Sequence, residues 1–265
     1  MTTIPRLLLV FLCCVRILAA PENDDFEDAI LLTNHSFTTN APVLGATSEF
    51  GEPLAAVATG GTVWYTFVPP AHSAYLVWSY VPPWFPSPSV HAYRGTSVTN
   101  LIPIPNNFTN DQPGTGVSFR FTLRAGAGET IHLQLVNRSE AGWIEFGYIP
   151  APPNDDFSNA LLLTNLLVSG TTQAASAEPG DIDNKTLWYK WEPGKSTTYT
   201  FALRSLSSAH RLFLFDGDAL ARLKRITQVD TSFSSSREGS TNVFLVGSNT
   251  YYIAVGGPNI YSDQF

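Results

Sequence analysis

What most limits the folds open to this chain is that it repeats itself. Asn23-Asp24-Asp25-Phe26-Glu27-Asp28-Ala29-Ile30-Leu31-Leu32-Thr33-Asn34 returns as Asn154-Asp155-Asp156-Phe157-Ser158-Asn159-Ala160-Leu161-Leu162-Leu163-Thr164-Asn165, nine of the twelve positions being identical. Thr62, Trp64, Tyr65, Pro69 and Tyr75 recur 124 residues later as Thr186, Trp188, Tyr189, Pro193 and Tyr199. Gly95 and Leu101 then match Gly217 and Leu223, and residues 130–135 match 250–255. The shrinking offset puts small deletions in loops of the second copy, where chains tolerate them. A period this long exceeds a solenoid unit and suits a free-standing domain. The reading is two tandem domains, 22–150 and 153–265, joined by a Pro-rich linker at 151–153. Prolines make that joint short, stiff and extended, so it should hold the domains apart over a limited range of angles.

Within each copy, runs rich in β-branched and aromatic residues alternate with turn formers at sandwich-like spacing. Strands are expected at 62–68, 75–80, 117–123, 131–136 and 143–149, and again at 187–191, 199–203, 212–215, 242–246 and 251–255. Gly126-Ala127-Gly128 and Gly247-Ser248-Asn249 fall where hairpins need positive φ. No helix of ten or more residues is expected. With 14% charged residues, 6 Trp, 10 Tyr and 17 Phe, the composition opposes disorder and coiled coil and favours an all-β protein. The second copy stops at Phe265, near where its last strand should begin, so the reading predicts a second sandwich lacking that strand, and a fragment or truncated reading frame.

Both cysteines, Cys13 and Cys14, lie in an apolar stretch flanked by Arg6 and Arg16 and followed by Ala19-Ala20. That stretch is too short to span a bilayer, and residues 1–20 read as a secretory signal peptide. The mature chain would carry no cysteine, no transmembrane helix, and 13 bases against 22 acids, a charge of −9. Nucleic acid is thereby excluded as an expected partner. The expected location is secreted or cell surface.

The opening Asn-Asp-Asp-Phe, the Glu-Pro pairs at Glu52 and Glu178, and Thr-x-Trp-Tyr at Thr62 and Thr186 together resemble the bacterial pre-peptidase C-terminal domain family. The resemblance covers both copies. It implies a jelly-roll β-sandwich in exported proteins, accessory rather than catalytic, similar in fold to the collagen-binding segments of clostridial collagenases.

Two acidic groups could supply the six to eight oxygens that calcium prefers. In the first copy they are Glu22, Asn23, Asp24 and Asp25 with Glu49 and Glu52; in the second, Asn154, Asp155 and Asp156 with Glu178, Asp181 and Asp183. The resemblance supports calcium near each domain entrance. The competing reading is that Asp25 or Asp156 caps a single helical turn beginning at the next Phe. A second candidate site is aromatic: Trp78, Tyr80, Trp84 and Phe85 lie in or beside a Pro-rich loop that would either present its rings to a sugar or protein or fold back and bury them. Trp64 and Trp188 read as core. The five histidines show no metal-ligand spacing; His132 reads as outward or satisfied, His210 as solvated. No nucleophile motif occurs, and no catalytic residue is expected. Sequons begin at Asn34, Asn107, Asn137 and Asn184.

The expected function is a non-catalytic exported binding or adhesion module, calcium-stabilised, docking on an extracellular polysaccharide or a matrix or surface protein. The alternative is a set of accessory domains of a larger secreted peptidase or other hydrolase.

Overall fold

The computed structural model describes residues 19–53, 60–81, 89–105, 109–111, 117–137, 142–183, 185–206, 209–231 and 237–257. The first copy carries ten strands: Ile30–Leu32 (β1), Phe37–Pro42 (β2), Thr62–Phe67 (β3), Ser73–Val81 (β4), Ser89–Arg94 (β5), Ile102–Pro103 (β6), Thr109–Asp111 (β7), Val117–Ala125 (β8), Ile131–Val136 (β9) and Trp143–Pro150 (β10). They form two five-stranded sheets, ordered β1-β3-β9-β5-β6 and β2-β10-β4-β8-β7. The second copy carries Leu161–Leu162 (β11), Thr186–Trp191 (β12), Thr197–Arg204 (β13), Arg211–Asp216 (β14), Lys224–Asp230 (β15), Glu238–Leu245 (β16) and Tyr251–Gly256 (β17). Its first sheet, β11-β12-β17-β14-β15, reproduces its counterpart strand for strand, down to the parallel pairing of the short first strand. Its second sheet holds only β13 and β16. The protein is all-β, two tandem sandwiches of the jelly-roll type. Among the described residues the helical content is single 3-10 turns, and no helix is long and apolar enough to cross a membrane.

Alternation decides which side chains meet between the sheets. In the first sandwich Tyr65 and Phe67 of β3, Tyr75 and Val77 of β4, Leu133 and Leu135 of β9, and Ile144, Phe146 and Tyr148 of β10 fill one buried core. Strand β9 is buried at every position, because its outward residues His132 and Gln134 are also covered. The expected core Trp residues are buried, yet outside that inter-sheet core. Trp64 and Trp188 point away from it and build separate small clusters with Phe26 and Phe157.

The linker is tied to the first sandwich. Strand β10 runs through Pro150, and the Ala151 N–H donates to the Ala74 carbonyl at 2.7 Å. Arg124 of β8 reaches the second copy, pairing with Asp156 at 3.0 Å and Asp155 at 3.8 Å and donating to Ser176 Oγ at 2.6 Å.

Candidate functional site

The repeated acidic motif is built identically in both copies. Asn23 Nδ2 donates to the Trp64 carbonyl at 2.8 Å while the Trp64 N–H donates to the Asn23 carbonyl at 2.9 Å; Asn154 and Trp188 make the same pair at 3.0 and 2.8 Å. Asp24 accepts from the Thr47 amide and hydroxyl, and Asp155 from those of Ser176. Glu49 accepts the Phe26 amide at 2.7 Å, and Glu178 the Phe157 amide at 2.5 Å. Glu52 accepts from Thr62 Oγ1, Trp64 Nε1 and Gln134 Nε2, while Asp181 accepts from Trp188 Nε1 at 3.2 Å and the Glu178 amide at 2.8 Å. The motif is thus a latch. It lays Phe26 edge-on against Trp64, ring centroids 5.2 Å apart, and Phe157 against Trp188 at 5.1 Å, closing the outer face of each first sheet. Asn-Asp-Asp-Phe and Thr-x-Trp-Tyr occur together because each completes the other's hydrogen bonds.

The expected cap is corrected by this geometry. Asp25 and Asp156 sit at the N-cap positions of the 3-10 turns without a side-chain cap bond. The orphan amide at each turn is capped across the fold, by Glu49 and Glu178. Asp25 and Glu22 are exposed, and Asp183 pairs with Arg211 at 2.7 Å. Among the described residues no three of the His, Asp and Glu side chains are placed to share a metal ion. Burial pushes the Asp155 carboxyl up to about 6, with neighbouring Asp156 adding to the shift and the Ser176 bonds opposing it. Burial also pushes Asp181 up to about 7, against the opposing bond from the Glu178 amide.

His210, expected in solvent, is fully buried. Its ring bonds Ser205 Oγ at 2.8 Å and Thr172 Oγ1 at 3.3 Å, and its N–H donates to Thr231 Oγ1. His132 is satisfied between Gly95 O and Thr66 Oγ1.

The aromatic candidates divide. Trp84 and Phe85 lie outside the described residues. Trp78 and Tyr80 belong to β4, where Tyr75 and Val77 face the core and Leu76, Trp78 and Tyr80 face outward, half-buried. Residues two apart on a strand stand about 7 Å apart on one face. Trp78 lies opposite Gly147 of β10, and a Cβ on Gly147 would fall 2.5 Å from the Trp78 ring and 2.4 Å from the Phe37 carbonyl. Glycine there lets the indole lie across the neighbouring strand. Glu145 stands opposite Tyr80 and Asn40, Arg120 opposite Trp78, and Thr38 opposite Gly147. Trp143 shares this outer face and is 38% exposed. Sequence reasoning placed it only as a strand start; its alternation with Ile144 and Phe146 was the signal that could have found it. The outer face of this sheet therefore presents aromatic rings bordered by hydrogen-bonding side chains.

No family model matches the chain, and no curated protein matches it. Among solved structures it is similar to the N-terminal CBM22-1–CBM22-2 tandem domain of Paenibacillus barcinonensis Xyn10C, at 9% identity over 91% of this chain and 89% of that one, with a TM-score of 0.26. A Paenibacillus cycloisomaltooligosaccharide glucanotransferase complexed with cycloisomaltoheptaose shows 10% identity over 83% of this chain and 44% of its own, TM-score 0.23. The partial N-terminal region of an enterococcal surface protein shows 8% identity over 91% and 86%, TM-score 0.23.

Proposed function

We propose that the chain is an exported, non-catalytic binding module whose first sandwich holds an extracellular polysaccharide on the outer face of its second sheet. The observation carrying this reading is Trp78 laid over Gly147, with Tyr80 and Trp143 on the same face and Thr38, Asn40, Arg120 and Glu145 around them. Flat rings offer apolar area to the C–H face of a sugar, and bordering polar groups select among its hydroxyls. The acids of the repeated motif are engaged as acceptors for amides, hydroxyls and indoles, which suits a scaffold better than acid–base chemistry.

Retention of the full chain on insoluble glycans tests the reading. Trp78→Ala should weaken retention at least tenfold, and Trp143→Ala less, while the melting temperature stays within a few degrees. Equal retention by parent and both variants overturns it. Calcium is not required by this reading, since an ion in either cluster would compete with the amides and hydroxyls already bound to those carboxylates. Equal melting in millimolar calcium and in excess chelator is the expected outcome; a rise with calcium would restore the ion to the latch.

A further inference from the structure

The second sandwich contains a place for a strand that its described residues do not fill. In the first sandwich β10 lies between β2 and β4, antiparallel to both. Its inward residues cover the core aromatics: Phe146 packs on Tyr65 at 4.6 Å, and Tyr148 packs on Phe67 at 4.4 Å and on Tyr75 at 6.1 Å between centroids. The equivalents of those three aromatics are Tyr189, Trp191 and Tyr199. Together with Phe201, Leu203, Ile253 and Val255, they line an open apolar groove. One wall of the groove is β13, which pairs with β16 along one edge only among the described residues. The other wall includes Leu163, Leu166 and Val168, from the stretch that corresponds to β2 and forms no strand here. Leu166 is 89% exposed beside it.

We infer that this groove is a receptor for one extended segment of another polypeptide, bound as an added strand antiparallel to β13. The occupant's chemistry follows from β10: large apolar or aromatic side chains at three alternate positions, pointing inward, as Ile144, Phe146 and Tyr148 do. A free strand edge supplies main-chain hydrogen bonds, and pockets for alternate side chains supply specificity. The stretch beside the groove is irregular because its pairing partner is the strand the groove receives. The site is independent of the aromatic sheet face in the first sandwich, so the two proposals stand or fall separately.

The probe is a synthetic peptide with the sequence of residues 143–150, soluble through an added lysine pair and carrying a fluorophore, titrated against the full chain. Expected are saturable one-to-one binding, a melting temperature higher by several degrees at saturation, and at least tenfold weaker binding of a peptide with Ile144→Ser, Phe146→Ser and Tyr148→Ser. Phe201→Asp in the chain should abolish binding while glycan retention through Trp78 persists. Equal binding of both peptides, or binding of neither, overturns the inference. Binding that emerges only when residues 258–265 are deleted would give the groove to the chain's own tail. A concentration-dependent dimer that excludes the peptide would give it to a second copy. Either result overturns the proposal.

Discussion

The two sandwiches share a first sheet and a latch and part company at the second sheet. In the first copy β10 sits in the middle of a five-stranded sheet; in the second, two strands stand where five stood. The outer faces differ as well, since Trp78 and Tyr80 of β4 correspond to Ala202 and Arg204 of β13. Duplication thus kept the part that each unit needs in order to close, the Phe-on-Trp latch over the first sheet. It released the part that meets other molecules: one copy carries an aromatic platform, the other an open strand edge. A sheet face tolerates such change because its outward positions do not contribute to the core.

The largest test of this contrast removes matched core rings. Phe146→Ala should cost about 3–5 kcal/mol in the first sandwich, where the ring is wholly buried, whereas Phe201→Ala, beside the open groove, should cost roughly half as much. Urea unfolding followed by hydrogen exchange in each half reads both, and equal losses would break the contrast. Next, the latch should matter in both copies, with a larger effect in the first. Glu52→Ala strands Thr62, Trp64 and Gln134 donors and should cost about 3 kcal/mol, while Asp181→Ala strands the Trp188 indole and the Glu178 amide and should cost about 2 kcal/mol.

The pH response should separate the halves further. With Asp155 raised to about 6 and Asp181 to about 7 by burial, the folded second sandwich binds more protons than its unfolded chain between roughly pH 4 and 7. The stability these groups contribute is complete below the unfolded carboxyl range and is lost as pH rises through about 6 to 7. The second sandwich should therefore melt higher at pH 4.5 than at pH 8, read by exchange-resolved melting. In the first copy Glu49 is the latch acid that burial raises, which predicts a smaller response of the same sign. An opposite slope in the second half would show that Arg124 holds Asp155 and Asp156 charged.

The smallest effects are gains. Ala174, φ 63°, occupies the turn position held by Gly45, φ 84°; both turns close through the same bond, Ala46 N to Val43 O and Ala175 N to Thr172 O. Ser248, φ 66°, stands where the first copy has Gly128, φ 73°. Ala174→Gly and Ser248→Gly should each stabilise the second sandwich by about 0.5–1 kcal/mol, visible as a rise in its urea midpoint, because side chains disfavour positive φ.

Much of the architecture was legible in the sequence because local pattern fixes strands. The ten expected strands all form, with ends that move by a few residues, and the repeat located both units. The short strands β1, β6 and β11 carry too few residues for alternation to show, and β15 reads as charged and mostly exposed. His210 was misread because its neighbour Arg211 suggested solvent; three hydroxyl-bearing residues distant in sequence bury and satisfy it. Trp64 was recognisable as buried, but not that its cover is Phe26 from the opening motif.

By itself the sequence determined the duplication, the all-β class, the strand positions and the pool of acids and aromatics, since periodicity and composition are local properties of a chain. The tertiary structure alone decided what those residues do. Whether an aspartate ligates a metal or caps an amide, whether a tryptophan seals a sheet or lies across its face, and whether a strand edge is paired or open all depend on which distant segment arrives beside it. That is set by packing and by the need to satisfy every buried polar group, neither of which is written in any single stretch of sequence.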